Sequence, residues 1–226
     1  MKKKILLAWS SGKDSAWALH VLREQGQYEV AGLMTTFNAA FDRVAMHSTR
    51  RNLVEMQAEA AGVPLIAAPI PWPCSNADYE LTMKQVCDKA LAEGISAIAF
   101  GDLFLADVRA YRERQLKDTG LQPLFPLWGL PTKALAQEMI STGLRAKLVC
   151  VDPRQLSANF IGRDFDHKFL SEIPASVDPC GENGEFHSFV HAGPMFSRDL
   201  AIVTGEKVER DGFWFCDVLP AVTAAS

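Results

Sequence analysis

Four times in this chain a stretch compatible with a helix runs into a glycine that a short apolar run follows at once: Gly26-Gln-Tyr-Glu-Val, Gly62-Val-Pro-Leu-Ile, Gly94-Ile-Ser-Ala-Ile and Gly143-Leu-Arg-Ala-Lys. Glycine after a helix accepts the left-handed C-cap conformation, and apolar runs that do not alternate suit strands buried on both faces. Helix and strand therefore alternate. Strands are expected at residues 4–9, 29–36, 64–70, 97–101 and 146–151, and helices starting near Asp14, Ser48, Asn76, Ala106 and Thr132. Such alternation predicts an α/β fold: a parallel sheet with helices on both faces and a ligand crevice at the carboxyl ends of its strands.

The pattern changes after about Leu130. Residues 186–190 and 200–218 read as short antiparallel strands around Gly and Pro turns, giving a smaller mixed α/β C-terminal domain. We expect domains at 1–128 and 129–226, with residues 123–131 as a soft boundary and no low-complexity linker. A formal charge of -4 gives no general attraction to a polyanion, so no nucleic-acid partner is expected. No apolar run approaches the roughly 20 residues of a membrane span, and MKKK leads into a short run ending at Ser10, a buried strand rather than a signal peptide. The five cysteines are scattered, with no CxxC pair, which predicts reduced thiols, a cytoplasmic location and no structural zinc.

Ser10-Ser11-Gly12-Lys13-Asp14-Ser15 sits between the first strand and its amphipathic helix. Gly12 permits a sharp turn, helix-start amides present positive charge, Lys13 adds more, and three hydroxyls can donate, so the loop suits an oxyanion. It is not a Walker A loop, because Leu7 stands where that pattern needs glycine. The competing explanation is structural: Ser11 or Asp14 caps the helix and Lys13 is solvated. A carboxylate beside phosphate is repulsive unless it caps amides or holds magnesium, which makes Asp14 an orienter or metal candidate.

Other segments carry less on spacing alone. His47, before a helix, fits capping as readily as ligand contact. Gly101-Asp102 ends the fourth strand, at the ligand edge of such a sheet, and Asp102 suits magnesium or ribose. Arg109 and Arg112 share a helix face and would attract an acidic substrate, while Arg109 and Glu113, four apart, could simply pair. Asp178-Pro-Cys-Gly-Glu-Asn-Gly-Glu-Phe-His-Ser188 is the densest segment: Gly181 and Gly184 allow close backbone approach, and Glu185 and His187 share a strand face. A polar surface turn is the alternative there. Nothing marks Cys180 as a lowered-pKa thiol.

The SSGKDS loop resembles the pyrophosphate loop of the N-type ATP pyrophosphatases. Together with Met46-His47, Met56-Gln57-Ala58-Glu59, Gly101-Asp102, Pro126-Leu127-Trp128, Cys180-Gly181-Glu182-Asn183-Gly184-Glu185 and Gly193-Pro194-Met195-Phe196, it makes nearly the whole chain similar to the diphthine-ammonia ligase family, also called adenine nucleotide alpha hydrolase-like. His187-Ser188 replaces the family's Glu-Thr, and the segment from Arg109 to Glu113 also departs, as in bacterial relatives with a different substrate. The resemblance implies a Rossmann-like, HUP-type nucleotide domain and a substrate-positioning C-terminal domain. It implies an AMP-forming ligase that uses ATP and Mg2+, adenylylates a small-molecule or protein-borne carboxylate, and makes an amide with ammonia or an amine. ATP would contact Ser10, Ser11, Gly12, Lys13, Asp14, Ser15, His47, Gly101 and Asp102, with Asp14 and Asp102 as metal candidates. Lys13, Glu182, Glu185 and His187 would be catalytic, and Arg109, Arg112, Cys180, Gly181, Asn183 and Gly184 would face the substrate. A tRNA-modifying pyrophosphatase and a non-catalytic ATP- or AMP-binding module are the alternatives, and exposed Phe or Trp residues would mark a homodimer face.

Overall fold

A computed structural model describes residues 2–44 and 47–221. The first sheet is built on β1 (Lys3–Ala8), which runs parallel to β2 (Tyr28–Asn38) on one side and β5 (Ile95–Ala99) on the other. β4 (Leu65–Ile70) extends it beyond β2 and β6 (Gln122–Leu124) beyond β5, both parallel, while the two-residue β3 (Arg43–Val44) pairs antiparallel with the end of β2. The connecting helices are α1 (Lys13–Gln25), α2 (Arg51–Ala61), α3 (Asn76–Ala92) and α4 (Ala106–Leu116). Gly26 and Gly62 close α1 and α2 in the left-handed conformation, at φ 65° and 64°, as the glycine pattern requires.

A second sheet is wholly antiparallel, in the order β8 (Phe186–Ala192), β7 (Arg145–Val151), β10 (Phe213–Pro220), β9 (Ile202–Arg210). It is accompanied by α5 (Thr132–Ser141) and the short α6 (His167–Glu172). Here one expectation fails: the run at 146–151 is a strand, but it belongs to this antiparallel sheet, with Leu148 and Cys150 opposite Ser188 and His187. A run buried on both faces looks the same in either sheet. The parallel position is taken instead by β6, too short and too proline-bearing for its pattern to stand out. The helix expected from Ser48 begins at Arg51, because Ser48 sits at φ 54°, outside helical space.

One apolar cluster runs through both sheets, joining Leu7, Trp17 and Leu22 to Leu148, Phe186 and Val190. Each large side chain so buried contributes roughly 2–3 kcal/mol. α1 is the shared wall, packing on β2 and on β8. The start of α1 is thereby pinned between the sheets, where the loop chemistry lies. No helix among the described residues is long and apolar enough to cross a membrane.

Candidate active site

The loop from Trp9 to Gly12 turns β1 into α1, and its bend falls one residue earlier than expected. Ser11, not Gly12, has the left-handed φ of 70°; Gly12 is extended at φ -88°, ψ 173°. Gly12 is needed for closeness: a Cβ there would lie 2.7 Å from His47 Cε1 and 3.2 Å from the Ser188 carbonyl. Helix starts leave amides without intrahelical partners. No side chain caps α1, so neither Ser11 nor Asp14 has the capping role; the Lys13 amide donates to Ser188 Oγ at 3.1 Å. The Ser11 hydroxyl is buried against Thr49 Oγ1 at 2.8 Å. Ser10 Oγ and Ser15 Oγ stand 3.2 Å apart on the cleft wall.

Lys13 is 2 % exposed, which excludes a solvated side chain. Its Nζ donates to Asp14 Oδ2 at 2.9 Å and to the Cys180 carbonyl, and lies 5.2 Å from the Phe186 ring centre. Burial works against its charge, but Asp14 and the other negative groups around it outweigh burial and hold the ammonium above its ordinary pKa. Burial pushes the Asp14 carboxyl up, with Lys13 opposing. Asp102, just past β5, is likewise pushed up by burial against Arg112, whose Nε is 3.7 Å away. Asp14 Oδ1 and Asp102 Oδ2 are both buried without a hydrogen-bond partner. Gly101 fits against the α1 backbone so closely that a Cβ would meet Asp14 C at 2.9 Å.

The acidic segment divides into parts that face the cleft and parts that build it. Glu182 Oε1 accepts the Leu103 amide at 2.7 Å, and burial raises its carboxyl to about 7. His187 stacks on His47 with ring centres 4.7 Å apart, and His47 Nδ1 lies 3.2 Å from the Ser188 carbonyl. Burial lowers His47 to about 3 and His187 to about 4, so both rings are neutral near pH 7. Glu185 is buried instead of facing the cleft: its Oε1 accepts from the Asp178 amide at 2.8 Å and from Asn183 Nδ2 at 3.1 Å. Asn183 and Gly184 thus shape the turn beyond the cleft lining. Gly181, at φ 68°, leaves no room for a Cβ, which would lie 2.8 Å from the Phe186 carbonyl. The Cys180 thiol is buried and its pKa is pushed up by that burial, while its carbonyl accepts from Lys13 Nζ. Arg109 pairs with Glu113 at 2.8 Å and lies over Phe125 and Trp128, outside the cleft lining.

The result is one cleft of about 370 Å³ that brings Ser10, Lys13, Asp14, Ser15, His47, Gly101, Asp102, Arg112, Gly181, Glu182 and His187 together. It does not gather Ser11, Gly12, Arg109, Cys180, Asn183, Gly184 or Glu185 on its wall. Sequence reasoning missed Thr49, Ser188 as a partner of the loop, and Gln57, a fully buried amide on an otherwise apolar helix face. The available signal for Gln57 was that anomaly: a buried amide must be hydrogen-bonded to be tolerated. Among the described residues, no group of three or more His, Cys, Asp or Glu side chains is placed to share a metal ion.

A hydroxyl-bearing loop opening a helix at the carboxyl edge of a parallel sheet, closed over by a second antiparallel sheet, defines the class: a Rossmann-like α/β protein with a nucleotide-type crevice. Residues 1–123 match the diphthamide synthase N-terminal domain and residues 131–222 the diphthamide synthase C-terminal domain, and the chain belongs to this family. The diphthine–ammonia ligase of Bos taurus is 28% identical over 235 residues, covering 92% of this chain and 86% of that protein. The Danio rerio protein of the same name is 29% identical over 223 residues, covering 88% and 86%. That of Schizosaccharomyces pombe is 25% identical and spans 94% of this chain but only 38% of its own length. Together they support an ATP-dependent ligase of this family.

Proposed function

We propose that the chain is an AMP-forming ligase that adenylylates an acceptor carboxylate and converts it to an amide with ammonia or an amine. One observation carries this most directly. The start of α1, whose positive dipole end attracts anions, shares its cleft with two carboxylate oxygens that have no hydrogen-bond partner, Asp14 Oδ1 and Asp102 Oδ2, which attract a cation. A polyphosphate carrying Mg2+ satisfies both at once, since that ion commonly takes one or two carboxylates, water and substrate phosphates. Bound there, it would neutralise charge on the leaving pyrophosphate.

In this reaction an acceptor carboxylate oxygen attacks the α-phosphorus and pyrophosphate leaves. The nitrogen nucleophile then attacks the acyl carbon, AMP leaves, and the proton lost from nitrogen goes to a base. The helix-start amides, Ser10 and Ser15 hold phosphate oxygens. Lys13 keeps one of its three N–H bonds free of Asp14 and Cys180 and directs it to the same anion. Arg112, whose Nε faces Asp102 at 3.7 Å, holds the departing phosphate or the acceptor's charge. Glu182, poised near pH 7, accepts the nitrogen proton, and the neutral rings of His47 and His187 line the acceptor end. Residues 1–128 supply the nucleotide side and 129–226 the positioning of the acceptor.

Support for a thiolating tRNA enzyme is weaker: it needs paired reactive cysteines, and all five here are free, with only Cys74 not buried. The deciding assay follows products from MgATP, ammonium and candidate carboxylates. AMP and pyrophosphate are expected together with an amidated acceptor; ADP and phosphate as sole products would reject the scheme. A purely nucleotide-binding module would release neither.

A further inference from the structure

Gln57 lies in the middle of α2, is fully buried, and has neighbours Val54, Ala58 and Ala61 in the core. Both of its amide hydrogens and its oxygen are engaged: Oε1 accepts from Trp9 Nε1 at 2.8 Å, and Nε2 donates to the Ser11 carbonyl at 3.0 Å and the Val190 carbonyl at 2.7 Å. The partners fix the orientation, because the indole can only donate and the two carbonyls can only accept. No other side chain of this length offers one acceptor and two donors in that arrangement. Glutamate lacks the donors, and methionine lacks both.

Its three partners are the end of the first strand's run, the bend of the loop, and β8 of the second sheet. Ser11 is the important one. A serine at φ 70° is in a conformation that non-glycine residues adopt only at an energetic cost, and its surroundings keep it there. Its carbonyl is held twice, by Gln57 and by the Val190 amide at 3.0 Å. Rotation of that peptide would turn the Gly12 amide and displace the first turn of α1, whose Lys13, Asp14 and Ser15 line the cleft.

We infer that Gln57 is a positioning residue for polyphosphate: it holds Ser11 in the left-handed bend that aims the start of α1 at the β- and γ-phosphates. This rests on the ATP reading above. Because Gln57 acts only through the loop, its loss must weaken ATP far more than AMP, which a residue that merely stabilises the fold would not do.

The test is calorimetric titration of Q57M with MgATP and with AMP, beside the unsubstituted protein. Methionine preserves length and volume, so the substitution removes the hydrogen bonds without leaving a large cavity. MgATP is expected to bind about tenfold more weakly or worse, with AMP changed by less than about twofold, given net losses of about 1 kcal/mol per hydrogen bond. If circular dichroism shows Q57M unfolded, Q57L, also uncharged and without hydrogen-bonding groups, carries the same comparison. Equal weakening of both nucleotides, or of neither, overturns the inference while leaving the ligase reading standing. Failure of the unsubstituted protein to bind MgATP overturns both.

Discussion

Gly101→Ala is the sharpest test of how closely the start of α1 is built into the cleft. Gly101 needs no special backbone angle, so a substitution there adds volume and nothing else. The new Cβ would stand 2.9 Å from Asp14 C, 3.0 Å from Ser15 N and 3.1 Å from Asp14 O. All three are backbone atoms in the first turn of α1, which cannot swing aside as a side-chain tip would. Restoring an ordinary carbon separation of about 3.5 Å requires the helix start to retreat from β5 by about 0.6 Å. Overpacking of this kind costs roughly 1–3 kcal/mol of stability. Since a 1 Å misplacement in an active site can cost about a hundredfold in rate, a retreat of this size should lower turnover by about tenfold. Pyrophosphate release under saturating MgATP measures the rate, and thermal unfolding measures the stability. Gly205→Ala is the control: it lies on β9, its Cβ would meet nothing nearer than 3.4 Å, and it should change neither. If Gly101→Ala kept both full turnover and full stability, the close fit of Gly101 against the start of α1 would be wrong.

Glu182, raised to about 7, must be ionised to accept a proton. Amide formation should therefore climb as pH rises through about 7, and Glu182→Gln should remove that limb from the rate profile while nucleotide affinity is retained. Arg112→Ala should raise KM for MgATP or the acceptor by about tenfold, whereas Arg109→Ala should leave KM alone and lose only about 1 kcal/mol from its stacking and surface pair. The buried imidazoles predict acid lability. Their folded pKa values of about 3 and 4 lie below the 6.5 of a free ring, so the unfolded chain binds more protons below pH 6.5. Stability is then full above that pH and is lost as pH falls toward 4, by about 2 kcal/mol per ring at pH 5. Denaturant titrations of His187→Phe should show a shallower acid slope than the unsubstituted protein; an identical slope would count against a buried neutral ring.

The parallel sheet was legible because its signals are local: Gly26 and Gly62 stop helices, and unbroken apolar runs mark strands with both faces covered. The same locality explains the failure at residues 145–151. Leu148 and Val149 are buried in the antiparallel sheet as thoroughly as any strand of the parallel one, and nothing in the run records which neighbours it pairs with. In the site, residues on the loop and at strand ends could be named from position alone, and Lys13, Asp14, Asp102, Glu182, His47 and His187 do meet in one cleft. What could not be read was which atom each presents. Ser11 spends its hydroxyl on Thr49, Cys180 offers its carbonyl, and Glu185 folds back on the Asp178 amide. Those are consequences of partners 38, 167 and 7 residues away, and the second is fixed only once the two halves of the chain have packed.

The second sheet consequently contributes more than a wall. Ser188 Oγ takes the first amide of α1, the Val190 amide and Gln57 both hold the Ser11 carbonyl, and the Cys180 carbonyl holds Lys13. Each of these contacts joins the loop to an element outside its own strand and helix. The Rossmann-like half alone would leave Lys13 without its carbonyl anchor and the bend at Ser11 without the Val190 amide. The cleft exists only where the two sheets meet, and in the proposed reaction this would put the nucleotide's reacting end beside Glu182 and His187, on the segment that would meet the acceptor.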